Sequence, residues 1–136
     1  MGLQMTVEFG ENKRVDARVG DLLIHTDQSV KGGGDGSAPE PYTLFLASIG
    51  TCAGVYVQAF CRKRDIPTEG IRIVQSMEWA AKGGPLTRVE LDIQVPPGFP
   101  ERYHKALIRA ADQCAVKRTI AAPPVFHVST SVVTGP

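Results

Sequence analysis

With 136 residues, 43% of them hydrophobic, 21% charged and a net charge of +1, the chain has the length of one domain at about 100–200 residues each, and residues 1–136 read as a single unit. That balance excludes a disordered chain, a collagen-like chain and a strongly basic protein held on nucleic acid by bulk electrostatics. Three cysteines are too few for a secreted disulfide scaffold, so a reducing, cytoplasmic setting is expected, where a thiol is either core filler or a reactive group. The N-terminus lacks the charged and long apolar regions of a secretory signal. Gly2 and Thr6 fit the myristoylation pattern, which is loose enough to match many unmodified proteins.

The chain opens as a meander. Met5, Val7 and Phe9 alternate with polar residues, as do Val15, Ala17 and Val19, and a third extended run follows the Gly20-Asp21 turn from Leu22 to Thr26. Residues 29–41 are too rich in glycine for helix or strand. A helix then starts at Pro41 or Tyr42, since proline is tolerated in a first turn, and runs to about Arg64, where Arg62, Lys63 and Arg64 oppose the negative end of the dipole. Its stretch from Tyr42 to Cys61 is uncharged and about as long as a bilayer is thick, but Thr43, Ser48, Gly50, Thr51, Gly54 and Gln58 dilute it. A buried central helix is therefore expected, and no membrane. The small residues Ala47, Gly50 and Gly54 let another backbone approach, either the sheet or a second copy of the helix.

Ile71, Ile73, Met77 and Trp79, then Val89, Leu91, Ile93 and Val95, form the dry face of a hairpin turned at Lys82-Gly83-Gly84-Pro85. From about Pro100 a helix carries Tyr103, Ala106, Leu107, Ala110, Ala111 and Cys114 on one stripe. A short helix, Ala115 to Ala121, is closed by Pro123-Pro124, and residues 125–133 alternate as a last strand. The order β-β-β-α-β-β-α-α-β is an α+β domain of antiparallel sheets around one long apolar helix.

Cys52 lies inside that helix among Gly50, Thr51, Ala53 and Gly54. A free cysteine is ordinarily a small core residue. Here, however, Cys114 ends the core face of a second helix, and two such thiols can meet. Cys61, nine residues or roughly 900° from Cys52, lies on the opposite face and reads as structural or exposed. A reactive thiol must be held as thiolate by a positive group or a helix N-terminus. Cys52 sits three turns into its helix, beyond the reach of that dipole, so Arg14, Arg18 and Lys31 are candidates to supply charge, although each reads more readily as a solvated surface group. Cys114 precedes a short helix whose N-terminus favours its own thiolate. No CxxC, HxxxH or HExxH spacing is present, and no metal is expected. The glycine-rich loop lacks a phosphate-cradle ending and reads as a mobile segment, with a role as lid left open.

The motifs from Pro41 to Cys52 (PYTLFLASIGTC) and from Cys114 to Ile120 (CAVKRTI) resemble those of the OsmC/Ohr family of osmotically inducible and organic-hydroperoxide-resistance proteins. The likeness covers essentially the whole chain, and the segment from Gly20 to Asp27 looks most like the general OsmC-like branch. The resemblance implies an intertwined homodimer with sites at the subunit interface and a cofactor-free, thiol-dependent peroxidase. In it Cys52 attacks the peroxide, Cys114 resolves the sulfenic acid to a disulfide, and an external dithiol reduces that disulfide. It also implies an arginine beside the thiolate, for which Arg14 and Arg18 are candidates, oriented by a glutamate. That glutamate is expected where Tyr42 and Thr43 stand, and the nearest carboxylate, Glu40, lies ahead of Pro41. Ala115 and Lys117 stand where proline and serine are common. The competing expectation is a non-catalytic protein of the same fold, with inert thiols, that binds a small hydrophobic ligand at the dimer interface.

Overall fold

The computed structural model describes residues 2–135. The chain falls into two compact units whose boundary lies within the long helix, between Thr51 and Cys52.

In the first unit, three antiparallel strands, β1 (Thr6–Phe9), β2 (Val15–Val19) and β3 (Leu22–Thr26), form a sheet in that order. The alternation of the sequence sets the register, with Phe9 opposite Val15 and Val19 opposite Leu22. Gly20 (φ +57°) makes the tight turn between β2 and β3. The glycine-rich segment that follows is irregular as expected, but it is not loose chain. Asp27 is fully buried, and its carboxylate accepts the backbone N–H of Gln28 at 2.7 Å, the N–H of Ser37 at 3.0 Å and the Ser37 hydroxyl at 2.6 Å. Asn12 adds bonds to the Gly33 carbonyl and the Asp35 carboxylate. At Gly34 a Cβ would lie 2.2 Å from the Gln28 carbonyl oxygen. Only glycine lets the chain pass so close.

Helix α1 (Pro41–Lys63) starts and ends as the sequence predicts, with Arg62 and Lys63 in its last turn. It stops because Asp65 takes a left-handed conformation (φ +53°), which lets the Ile66 N–H close back on the Cys61 carbonyl at 2.9 Å before Pro67. Among the described residues it is the one helix long and apolar enough to cross a membrane. Its second half is nevertheless a core helix, since Ala53, Val57, Phe60 and Cys61 are all buried in the second unit.

That unit pairs β4 (Arg72–Trp79) with β5 (Leu86–Gln94) as the expected hairpin, and Ile73, Leu91 and Ile93 face the core. Trp79 departs from its predicted dry face. The register slips between Glu78 and Trp79, and such a bulge breaks the alternation that carried the earlier positions. After a 3₁₀ turn at Glu101–Tyr103 come α2 (His104–Ala111) and α3 (Ala115–Ala121). Leu107, Ala111 and Cys114 complete the buried stripe. The predicted last strand is not formed. Residues 125–133 carry no regular structure, and Val125, Phe126, Val128, Val132 and Val133 are exposed, because an alternating segment becomes a strand only where another strand offers it hydrogen bonds.

Candidate active site

The two thiols come together in the second unit. Helix α2 ends at Ala111 and the chain tightens over Asp112 and Gln113, with the Gln113 N–H bonded to the Ala110 carbonyl. Cys114 then turns extended (ψ 126°) and becomes the N-cap of α3. Its sulfur accepts the Lys117 N–H at 3.4 Å, as an N-cap oxygen would. The N–H groups of Ala115 and Val116 have no partner inside a helix that starts there; both favour the Cys52 thiolate, and that of Val116 also acts on Cys114.

The consequences for the two sulfurs are opposite. Cys52, partly exposed, has its pKa held below the ordinary thiol value, first by the Val116 N–H, then by a hydrogen bond from the Cys114 thiol, against a desolvation cost, with further help from the Ala115 N–H and the positive charge of Arg118. Cys114 is 2% exposed. Burial pushes its pKa up despite the Lys117 and Val116 N–H groups, and its contact with Cys52 raises it further. The pair is thus polarised: Cys52 is the favoured thiolate and Cys114 the proton-bearing donor beside it.

Within the second unit the positive charge that lowers the Cys52 pKa is that of Arg118, which lies one helical turn after Cys114 and so travels with the second thiol. In the first unit Arg14 pairs with Glu11 at 3.3 Å and Arg18 with Glu8 at 3.8 Å. The N-terminus of α3 serves both thiols: its Lys117 and Val116 N–H groups lower the Cys114 pKa, as expected, but burial of that capping residue outweighs them, while the Val116 and Ala115 N–H groups lower the pKa of Cys52. Glu40 sits just outside α1, where its carbonyl accepts the Leu44 N–H at 3.1 Å. Tyr42 and Thr43 are exposed in the first turn of α1. Cys61 is fully buried, with its pKa raised by desolvation, and belongs to the core. Among the described residues no group of three or more His, Cys, Asp or Glu side chains is placed to hold a metal ion.

Comparison with known proteins agrees with this architecture. Solved structures similar to it include a protein of the osmotic stress and detoxification response from Psychrobacter arcticus (21% identity, 88% of this chain and 89% of that one, TM-score 0.72). Another is an OsmC-like protein from Mycoplasma pneumoniae (13% identity, 90% and 89%, TM-score 0.69). A third is an organic hydroperoxide resistance protein from Elizabethkingia anophelis (22% identity, 90% of each chain, TM-score 0.59). At these identities the likeness establishes the fold. No curated protein sequence matches the chain. The family described as OsmC-like protein matches residues 34–129, a span that holds both thiols and the helices presenting them, and on that match the chain belongs to the OsmC-like protein family.

Proposed function

We propose that this protein is a cysteine-based, thiol-dependent peroxidase that reduces organic hydroperoxides or hydrogen peroxide in defence against oxidative stress. The polarised pair carries the reading: a partly exposed Cys52 favoured as thiolate, hydrogen-bonded by a buried Cys114 thiol. The Cys52 thiolate attacks one peroxide oxygen. The O–O bond breaks, an S–O bond forms, and the departing alkoxide takes a proton, leaving an alcohol and a sulfenic acid. The Cys114 sulfur then attacks the Cys52 sulfur. Water leaves, carrying the sulfenic oxygen, the Cys114 proton and the sulfenic proton, and a disulfide remains. An external dithiol restores both thiols by exchange and is itself oxidised. No step requires a cofactor, and a reducing, cytoplasmic compartment suits three free cysteines.

The reading includes a homodimer. The outward face of α1 is apolar around Val55, and residues 125–133 expose Val125, Phe126 and Val128 almost fully. A second copy of the chain covers both, and this partner is where Arg14, Arg18 and Glu40 would find any role beside a thiolate. Light scattering at twice the chain mass is expected.

Stoichiometric hydroperoxide with a mass readout tests the activity. The parent loses two hydrogens, Cys114→Ser stops with one added oxygen, and Cys52→Ser does neither. A Cys52→Ser variant that consumes peroxide as fast as the parent removes the proposal. The competing idea, an inert-thiol protein binding a hydrophobic ligand at the dimer interface, requires that Cys52 alkylate no faster at neutral pH than an ordinary thiol of pKa near 8.5.

A further inference from the structure

A cleft of about 480 Å³ opens between the C-terminal half of α1 and α2, and neither Cys52 nor Cys114 lines it. This lies within the roughly 300–1,000 Å³ typical of small-molecule sites. Its wall includes Phe60, Ala106 and Ala110, and Lys63, Arg64 and Arg109 converge on it without one lining carboxylate. Among the described residues none of these three cations forms an ion pair, whereas Arg14, Arg18, Arg88 and Lys117 all do. Arg64 is also held in place. Its guanidinium donates to the Phe60 carbonyl at 3.0 Å and lies 3.6 Å from the centre of the Phe60 ring, with the Tyr103 ring 5.5 Å away. Three like charges lining one cleft of mixed polar and apolar surface repel one another, and a bound anion turns that repulsion into charge-assisted hydrogen bonds.

We infer that this cleft is a binding site, separate from the thiol pair and independent of the peroxidase reading, for an oxyanion carried on a short apolar body. The carboxylate or phosphate group lies among Lys63, Arg64 and Arg109, and the apolar body lies against Phe60, Ala106 and Ala110. Arginine's planar fork suits either oxyanion, and lysine adds a point charge.

Titration of the full-length protein with octanoate, octyl phosphate, octanol and inorganic phosphate, followed by calorimetry and by alanine-methyl NMR shifts, tests the inference. At least one octyl anion is expected to bind roughly tenfold or more tightly than octanol, with shifts concentrated at Ala59, Ala106 and Ala110. The tighter of octanoate and octyl phosphate identifies the head group. Arg109→Gln and Lys63→Gln should each weaken binding roughly tenfold, Arg109→Lys should recover most of the loss, and Cys52→Ser should bind like the parent. The inference is overturned if octanol binds as well as both anions, if inorganic phosphate alone binds as tightly as the octyl anions, if the two charge-removing variants keep the parental affinity while folded by circular dichroism, if Cys52→Ser loses binding, or if no anion binds.

Discussion

Asp27 and Cys52 are two acidic groups whose surroundings both favour the charged form. Each takes backbone N–H groups, Ser37 and Gln28 at the carboxyl and Val116 and Ala115 at the thiol, and each pKa is lowered, that of Asp27 to about 2 chiefly by the Ser37 hydroxyl and that of Cys52 chiefly by the Val116 N–H. The carboxylate is sealed from solvent and its further donor is the Ser37 hydroxyl, so it ties down a loop. The sulfur is partly exposed and its further donor is a second thiol. Hydrogen-bond donors thus make an anchor where access is closed and favour a thiolate where access is left open.

The largest break in the comparison comes from Gly34→Ala. Its Cβ meets the Gln28 carbonyl at 2.2 Å and an Asp27 carboxylate oxygen at 2.7 Å, so a loss of about 3 kcal/mol or more is expected in denaturant unfolding. Next, Val116→Pro deletes the N–H that does most to favour the Cys52 thiolate, at a first-turn helical position that accepts proline. Alkylation of Cys52 at pH 7 should slow roughly tenfold, the value of a hydrogen bond to a charged group, and its pH midpoint should rise. Ala115→Pro should do the same to a smaller degree.

On the carboxylate side the effect is read in acid. The folded pKa of Asp27 is about 2, against about 3.9 in an unfolded chain, so its stabilisation is fully present above about pH 4 and is lost as pH falls through about 2. Ser37→Ala removes the strongest of the lowering contacts and should move that acid transition up by roughly one pH unit. The smallest change is Arg118→Gln. Its charge ranks last among the influences on Cys52, and a twofold slowing of alkylation is about what one solvent-screened charge supports.

Much of this architecture is legible in the sequence, because most of its elements are specified locally. Period-two runs mark β1 to β5, proline and basic residues bound α1, and the stripe from Tyr103 to Cys114 marks α2 and its buried end. Three features escape, each for a physical reason. Residues 125–133 have the pattern of a strand, but a strand is a property of two segments, and none pairs with them. Glycine content makes residues 29–37 look loose, whereas one buried carboxylate from Asp27 holds them. The donors at Cys52 come from a helix some sixty residues further on, which no inspection of α1 alone reveals. Arg118 was within reach, since a residue four positions after Cys114 in a short helix must stay near that thiol.

The exposed apolar residues from Val125 to Val133 also bear on how stability is to be measured. In the proposed homodimer, a segment whose water-averse surface is covered only by the second copy adds nothing to an isolated molecule. Its contribution grows with the logarithm of protein concentration, so the melting temperature should climb on serial concentration, and truncation after Ala122 should flatten that dependence while leaving the dilute limit unchanged.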